Sequence, residues 1–243
     1  MKYSLILPAY NEAESIVKTL DSLLAENIPS LEILVVDDHS PDGTFSIVEE
    51  YGKTHENVHA LLHEGDRGLS PSVVWGFDRA QGETLICMDA DGQHRSCDLI
   101  KLLAEFDDPS LDMAIGSRHV EGGGFTEKWN FFRSLCSKSA ALAARLVLHT
   151  DVKDPMSGFF ALRRKSFEKV EKFLDPKGFK IMLEICFLLS LCEPHRIRET
   201  PIIFAMREAG KSKLSAKVIG EYLAMLFKCF RRRKELKKSL GKQ

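Results

Sequence analysis

Short apolar runs alternate with helix-like spacing through the first half of the chain. Tyr3–Leu7, Leu31–Val36, Val58–Leu62, Thr84–Met88 and Met113–Ile115 read as strands. Leu31–Val36 is a continuous apolar, β-branched-rich run, as expected of a strand covered on both faces. Helical patterns lie between these runs: from Asn11 to about Glu26, from the turn cluster DDHSPDGT to about Lys53, over Pro71–Ala80 and over Asp98–Phe106. Asn11 is the expected cap of the first helix, with Glu12 and Glu14 in its first turn, where the helix dipole favours acids. The βαβα rhythm predicts an α/β fold, a mainly parallel sheet with helices on both faces.

After Gly116 the rhythm changes. HVEGGGFTEK holds three consecutive glycines and is expected to be mobile. A helix rich in small residues follows over Phe131–Leu148. Then come DPMSGFF, a helix near Phe179–Leu191, a strand near Arg198–Phe204 and a last helix from about Ser215. One domain is expected, its second half roofing the carboxyl ends of the strands, where open parallel sheets bind ligands. The division in sequence is a body over residues 1–213 and a C-terminal amphipathic, basic helix and tail over 214–243.

Composition narrows this picture. Apolar residues make up 44% of the 243 and charged residues 28%, which suits a globular domain with a sizeable core. Six cysteines without a CxxC pair read as reduced thiols of a cytosolic protein. The N-terminal apolar run is too short for a signal peptide, and no run approaches the roughly 20 residues that span a bilayer, so any membrane contact is expected from outside. The formal net charge of −1 is uneven: Lys228–Gln243 carries +7 and the rest −8. A basic end on an acidic body points to an anionic surface as partner. Interleaved aromatics are too few there for a nucleic-acid binder.

Several familiar signatures fail. No G-x-G-x-x-G follows a strand, and GKT at Gly52–Thr54 closes a helix, with Ile47 where a P-loop needs glycine. His55, His59 and His63 straddle a helix end and a strand and read as scattered surface histidines rather than a zinc site. The carboxylates are more telling. Asp37 and Asp38, then Asp89 and Asp91 in ICMDADGQH, end predicted parallel strands, and Pro8-Ala9-Tyr10-Asn11-Glu12 ends the first strand in the same way. Three strand ends thus bring polar groups to one edge. Two carboxylates one residue apart repel, so either solvent tolerates them or a cation holds them.

The ordered set LPAYNE, VVDDHSPDGT, RGLSPSVVWGF, MDADGQH, GSR, DPMSGFF and REAGKSKL over about residues 4–214 resembles the family 2 glycosyltransferases of GT-A, Rossmann-like fold, and among them the polyprenyl- (dolichyl-) phosphate mannosyltransferases. The resemblance implies Mg²⁺ or Mn²⁺ as cofactor, held by Asp89, Asp91 and Gln93, with Asp91 and Gln93 the firmest ligands. Hard divalent ions take such oxygen ligands together with substrate phosphate. It implies a nucleotide sugar bound by Pro8, Tyr10, Glu12, Val36, Asp38, Asp89, Ala90, Asp91, Arg118, Arg207 and Lys213. Asp89, Asp91, Arg118 and Arg133 are the implied catalytic groups, Arg133 facing the acceptor phosphate. Asp154, Ser157 and Gly158 match a segment bordering the sugar. Glu184 is either a paired core carboxylate or a site residue. Arg95-Ser96 stand where the family pattern commonly continues with proline.

The activity so implied is inverting transfer of mannose from GDP-mannose to a polyprenyl phosphate, by a peripheral enzyme on the cytoplasmic face of an anionic membrane. A UDP-glucose-dependent glucosyltransferase, another family 2 enzyme with a different acceptor, and a non-catalytic nucleotide-sugar-binding subunit are the alternatives. The apolar positions Val218, Ile219, Tyr222, Leu223, Leu226, Phe227 and Phe230 form a stripe, followed by six cations over Arg231–Lys238. An interfacial, non-spanning helix is the expectation there.

Overall fold

The computed structural model describes residues 1–126, 131–148, 150–178, 180–192, 194–205 and 216–240, with only the backbone for 131–138 and 216–219. The first half runs β1 (Tyr3–Ala9), α1 (Ile16–Ala25), β2 (Leu31–Asp37), α2 (Thr44–Gly52), β3 (Val58–Leu62), α3 (Leu69–Arg79), β4 (Thr84–Cys87), α4 (Ser96–Ala104) and β5 (Met113–Ser117). The second half adds β6 (Gly124–Phe125), α5 (Phe131–Leu148), β7 (Phe160–Arg163), α6 (Arg164–Val170), α7 (Ile181–Leu189), β8 (Ile197–Pro201), β9 (Ile203–Phe204) and α8 (Ala216–Leu240). Seven strands form one sheet in the order β3-β2-β1-β4-β7-β5-β8, and β6 pairs with β9 in a small second sheet.

The sheet is parallel except for β7, which is antiparallel to both β4 and β5. The sequence reading missed β7 and α6. A four-residue apolar run merging into Arg163-Arg164 offers little strand signal, even though the turn residues Asp154–Gly158 precede it. These two arginines secure the strand: Arg163 donates to the carbonyls of Leu111, Phe106 and Asp108, and Arg164 to those of Gly82 and Ala80.

Side-chain alternation along the strands divides the core in two. Leu5, Leu7, Ile33, Val35, Ile86 and Met88 pack against α1, α2 and α4. Ile6, Leu34, Val36, Cys87, Phe160 and Leu162 pack on the other face, against α3, α6 and α7, and that layer continues into α5 and α8. Gly76 of α3 lets the helix close on the sheet, since a Cβ there would stand 2.9 Å from the Ile6 side chain. The five cysteines with described side chains are free thiols.

Three expectations change. The first helix starts at Ile16, not Asn11; Asn11 takes the left-handed conformation (φ 59°), and no acid lies in the first turn of α1. The glycine-rich stretch is pinned as far as Thr126: Gly124 and Phe125 pair with Ile203 and Phe204, and a Cβ on Gly123 would meet the Ser117 carbonyl oxygen at 2.5 Å. Close approach, rather than mobility, explains that glycine.

The stripe on α8 splits into two faces. Tyr222, Leu226, Cys229, Leu236 and Leu240 enter the core layer, while Leu223, Phe227 and Phe230 are exposed. The Tyr222 hydroxyl donates to the Ala140 carbonyl of α5 (2.5 Å), and Arg233 donates to that of Leu148 (3.2 Å). The segment from 216 onward is thus one 25-residue helix sharing the apolar layer of α5 and α7. Among the described residues, no helix is long and apolar enough to cross a membrane.

Glu184 lies under α8, accepting the Asp175 N–H (2.9 Å) in a cleft also lined by Lys228 and Arg232. It is a buried carboxylate of the α7–α8 interface. Burial pushes its carboxyl up to about 7, with the Asp175 charge adding to this and Lys228 and Arg232 opposing it. The folded protein therefore holds a proton that the unfolded chain releases between the ordinary 4.5 and about 7, so stability declines as pH rises through that window. Glu184→Gln keeps an acceptor for the Asp175 N–H and removes the titration. Calorimetry should show the variant melting above the wild type beyond pH of about 7, with the gap closing toward 4.5.

Candidate active site

β2, β1 and β4 lie side by side in parallel, Pro8 opposite Val36 and Ala9 opposite Asp37. β4 leaves the sheet where the Met88 N–H reaches the Ile6 carbonyl (3.1 Å). The three sequence clusters, Pro8–Glu12, Val36–Asp38 and Asp89–Asp91, therefore meet at one sheet edge. The loop after β1 is laid against the one after β2. Asn11 N–H donates to Ser40 Oγ, Glu12 N–H to Thr44 Oγ1 and Ala13 N–H to Asp42 Oδ2, each at 3.0 Å. The cluster DDHSPDGT thus does more than turn the chain. It spends its side chains orienting the backbone that carries Tyr10 and Glu12.

Asp38 is held from two sides. His63 Nδ1 lies 2.9 Å from Oδ1, and the Gly68 N–H donates to Oδ2 at 2.9 Å. The His63 ring is buried against Trp75, 5.6 Å between centroids, so this histidine is not the surface residue expected. Its position was a usable signal: it follows the last residue of β3, at the same sheet edge as Asp38.

Asp89 and Asp91 point to different neighbours. Asp91 Oδ1 accepts the Gln93 N–H (3.1 Å) across Gly92, whose φ of +73° makes the turn. Gln93 Nε2 donates to the Ala205 carbonyl (3.0 Å), so the amide nitrogen is engaged and the oxygen is the end that can accept. Among the described residues no three His, Cys, Asp or Glu side chains cluster as a metal site. Two carboxylates and a carboxamide fit Mg²⁺ or Mn²⁺ only when substrate oxygens complete the shell, the usual arrangement for such ions on phosphates. Asp89 instead faces Gly158 and His94, whose Nε2 is 3.5 Å from Oδ2. The His94 ring is buried between Phe159 and Phe204, and neither nitrogen has a hydrogen bond. Arg95, where the family pattern has proline, is extended and pairs with Asp98 at the start of α4 without disturbing Gln93.

Arg118 lies in a buried pair. Its Nε and Nη2 donate to the two oxygens of fully buried Asp154 (2.7 and 2.8 Å), and its N–H adds a third bond. Burial alone would raise the Asp154 pKa, but the guanidinium holds it below the ordinary carboxylate range. Phe125 and Phe204, from β6 and β9, stand 5.7 and 5.1 Å from the guanidinium carbon. Ser157 Oγ donates to the Gly116 carbonyl (2.7 Å), fixing the turn into β7. Arg133 sits in the first turn of α5 with its side chain outside the described residues, and Arg207 and Lys213 lie outside them altogether. Lys180, directly before α7, interacts electrostatically with Asp89, Arg118 and Asp154. The sequence reading passed over it as the edge of an apolar helix.

A mainly parallel sheet whose adjacent strand ends carry a D-x-D carboxylate pair, a nearby carboxamide and a second acidic cluster is the arrangement of a glycosyltransferase of GT-A fold. The chain belongs to glycosyl transferase family 2, whose pattern matches residues 4–171. It is 41% identical to a dolichol-phosphate mannosyltransferase of Pyrococcus furiosus over 94% of this chain and 63% of that protein, so it spans under two thirds of that relative's length. It is 37% identical to the dolichol-phosphate mannosyltransferase of Saccharomyces cerevisiae, over 93% of this chain and 86% of the yeast protein. Its fold resembles that of a Pyrobaculum calidifontis mannosyltransferase solved with GDP-Man and Mn²⁺, with a TM-score of 0.60 at 20% identity, over 87% of this chain and 58% of the other.

Gly158 offers a test of the edge geometry. A Cβ there would lie 2.6 Å from Asp89 Oδ2, too close for both to stay. Gly158→Ala should displace Asp89 and cut turnover by about tenfold or more, since small misplacements at a reacting centre are costly. Circular dichroism should find the secondary structure unchanged.

Proposed function

We propose that the protein transfers mannose from GDP-mannose to a polyprenyl phosphate with inversion, working peripherally at the cytoplasmic face of a membrane. The observation that carries this reading is the breadth of the likeness. Relatives named for dolichol, undecaprenyl and polyprenol phosphate mannosylation match over 89–94% of this chain, well beyond the carboxylate edge.

In this reading Pro8, Tyr10, Glu12, Val36 and Asp38 cradle the nucleoside. Carboxylates suit ribose hydroxyls and base N–H groups because they only accept. Asp91 and Gln93, with Asp89 beside them, would hold a divalent cation, which supplies charge neutralisation for the departing diphosphate. Asp89, pressed by Gly158, borders the sugar together with Asp154 and Ser157. An oxygen of the acceptor phosphate forms the new bond to the anomeric carbon as the bond to the GDP oxygen breaks. That phosphate is already anionic near neutral pH, so no strong base is needed. The chain's contribution is positioning and fixed charge from Arg118, Arg133, Arg207 and Lys213.

The membrane side of the reading rests on α5 and α8. Leu142 and Leu146 of α5 and Leu223, Phe227 and Phe230 of α8 are all exposed, Phe227 at 62%. Arg231, Lys234, Lys237 and Lys238 are exposed on the same helix, α8. Basic residues near an anionic leaflet gain about 1 kcal/mol each.

Labelled GDP-mannose and UDP-glucose, each offered with a polyprenyl phosphate and with or without Mg²⁺ or Mn²⁺, should give product from GDP-mannose and metal only. Asp91→Ala should abolish turnover. Product from Asp91→Ala in chelator would refute the metal role, and preference for UDP-glucose would refute the donor.

Docking is tested by sedimentation with phosphatidylglycerol-containing vesicles. The wild type should bind and be released by high salt, which screens exposed charge. The double variant Phe227→Ser, Phe230→Ser should stay in solution while still binding GDP-mannose. Removing residues 231–243 is the poorer test, because Leu236 and Leu240 are core residues.

A further inference from the structure

The cation expected at the centre of this site, Arg118, already faces a buried carboxylate. Its Nε and Nη2 are taken by Asp154, so the pair is close to neutral as a unit. A second cation, Lys180, shares this environment, and among the described residues it has no such partner. Lys180 lies half-buried just before α7, and among the described residues no hydrogen bond or ion pair holds its ammonium. Asp89 and Asp154 attract it electrostatically and Arg118 repels it, all short of an ion pair.

The backbone that presents Lys180 is firmly placed. The Gly178 carbonyl accepts the Ser70 N–H (3.1 Å) beside Gly68, whose own N–H holds Asp38. On the other side the Lys180 carbonyl accepts the Glu184 N–H (3.1 Å) in the first turn of α7. The backbone carrying Lys180 is therefore tied to the Gly68–Asp38 end of the edge on one side and to the start of α7 on the other.

A partly desolvated ammonium without a partner is costly unless an anion arrives to pair with it. Burial pushes the Lys180 pKa down; Asp89 and Asp154 oppose that push and Arg118 adds to it, so the nearby carboxylates only partly offset the desolvation of the ammonium. Resting on the transferase reading above, we propose that Lys180 is a catalytic residue that binds a phosphate oxygen of a substrate during sugar transfer. Two phosphate groups flank the transferring sugar: the donor's diphosphate and the acceptor's monophosphate. Either one supplies the missing partner through a charge-assisted bond, which is among the strong polar contacts.

The alternative is a purely structural counter-charge for Asp89 and Asp154, and the two roles predict opposite stability changes. Lys180→Met and Lys180→Arg are compared with the wild type as full-length proteins. Without ligands, Lys180→Met should melt at or above the wild-type temperature, because it removes an unpaired, desolvated charge. With Mn²⁺, GDP-mannose and polyprenyl phosphate, its kcat/KM should fall about ten- to hundredfold, and Lys180→Arg should recover part of the loss.

Two further arms separate the sources. Weaker GDP binding by calorimetry in Lys180→Met assigns the contact to the diphosphate. Unchanged GDP binding with the loss confined to polyprenyl phosphate kinetics assigns it to the acceptor. Lys180→Met that melts lower yet turns over normally per folded molecule overturns the proposal, as does wild-type kinetics at unchanged stability. If the wild type transfers no mannose, the reading of function falls on its own. Lys180 is then judged by binding of GDP and of polyprenyl phosphate, and unchanged binding of both in Lys180→Met overturns its role.

Discussion

Two carboxylates one residue apart at the mouth of a buried strand repel each other, and much of the surrounding structure answers that repulsion. Asp91 turns toward the Gln93 N–H across a left-handed glycine, beside a carboxamide whose nitrogen is held by the Ala205 carbonyl. Asp89 turns the other way, against Gly158 and toward His94 and Lys180. The two carboxylates are thereby held by different parts of the chain. The antiparallel β7 makes the separation possible, because reversing its direction delivers residues 154–159 to the edge where the parallel strands end.

The supporting groups form a second ring. His63 and the Gly68 N–H fix Asp38, the side chains of Ser40, Asp42 and Thr44 fix the backbone around Glu12, and Asp154 fixes Arg118. Each spends its own hydrogen-bonding capacity on orienting a neighbour. Preorganisation of this kind costs nothing at the moment of reaction, since the dipoles are already in place.

Much of this was legible in the sequence. Short apolar runs alternating with helical spacing marked the five strands of the first half and nearly all of the helices, most clearly where, as in β1 and β2, every strand position is buried. The edge position of the three acidic clusters followed from those strands. What was not legible depends on contacts between distant segments. β7 is too short to show a period, and its arginines are satisfied by carbonyls of loops far away in sequence. His63 and Lys180 look like ordinary surface residues until the strand ends are set side by side. The α8 stripe was recognised, but a linear pattern cannot say which of its two apolar faces meets the core. The glycines near residue 123 read as freedom, whereas there the absent Cβ serves a tight backbone approach.

The placement of β7 also governs how the chain can fold as it is made. β4 is complete at Cys87, yet its second neighbour in the sheet begins only at Phe160. At about 5–20 residues per second, a nascent chain carries that apolar strand with an unpaired edge for several seconds. Its sequence, TLIC, holds no charge or proline to discourage pairing with another chain. The first half can pair β1, β2 and β3 early, but the sheet closes only through long-range contacts made late. The β4 edge is thus the part of the sheet that depends most on shielding while the chain is being made.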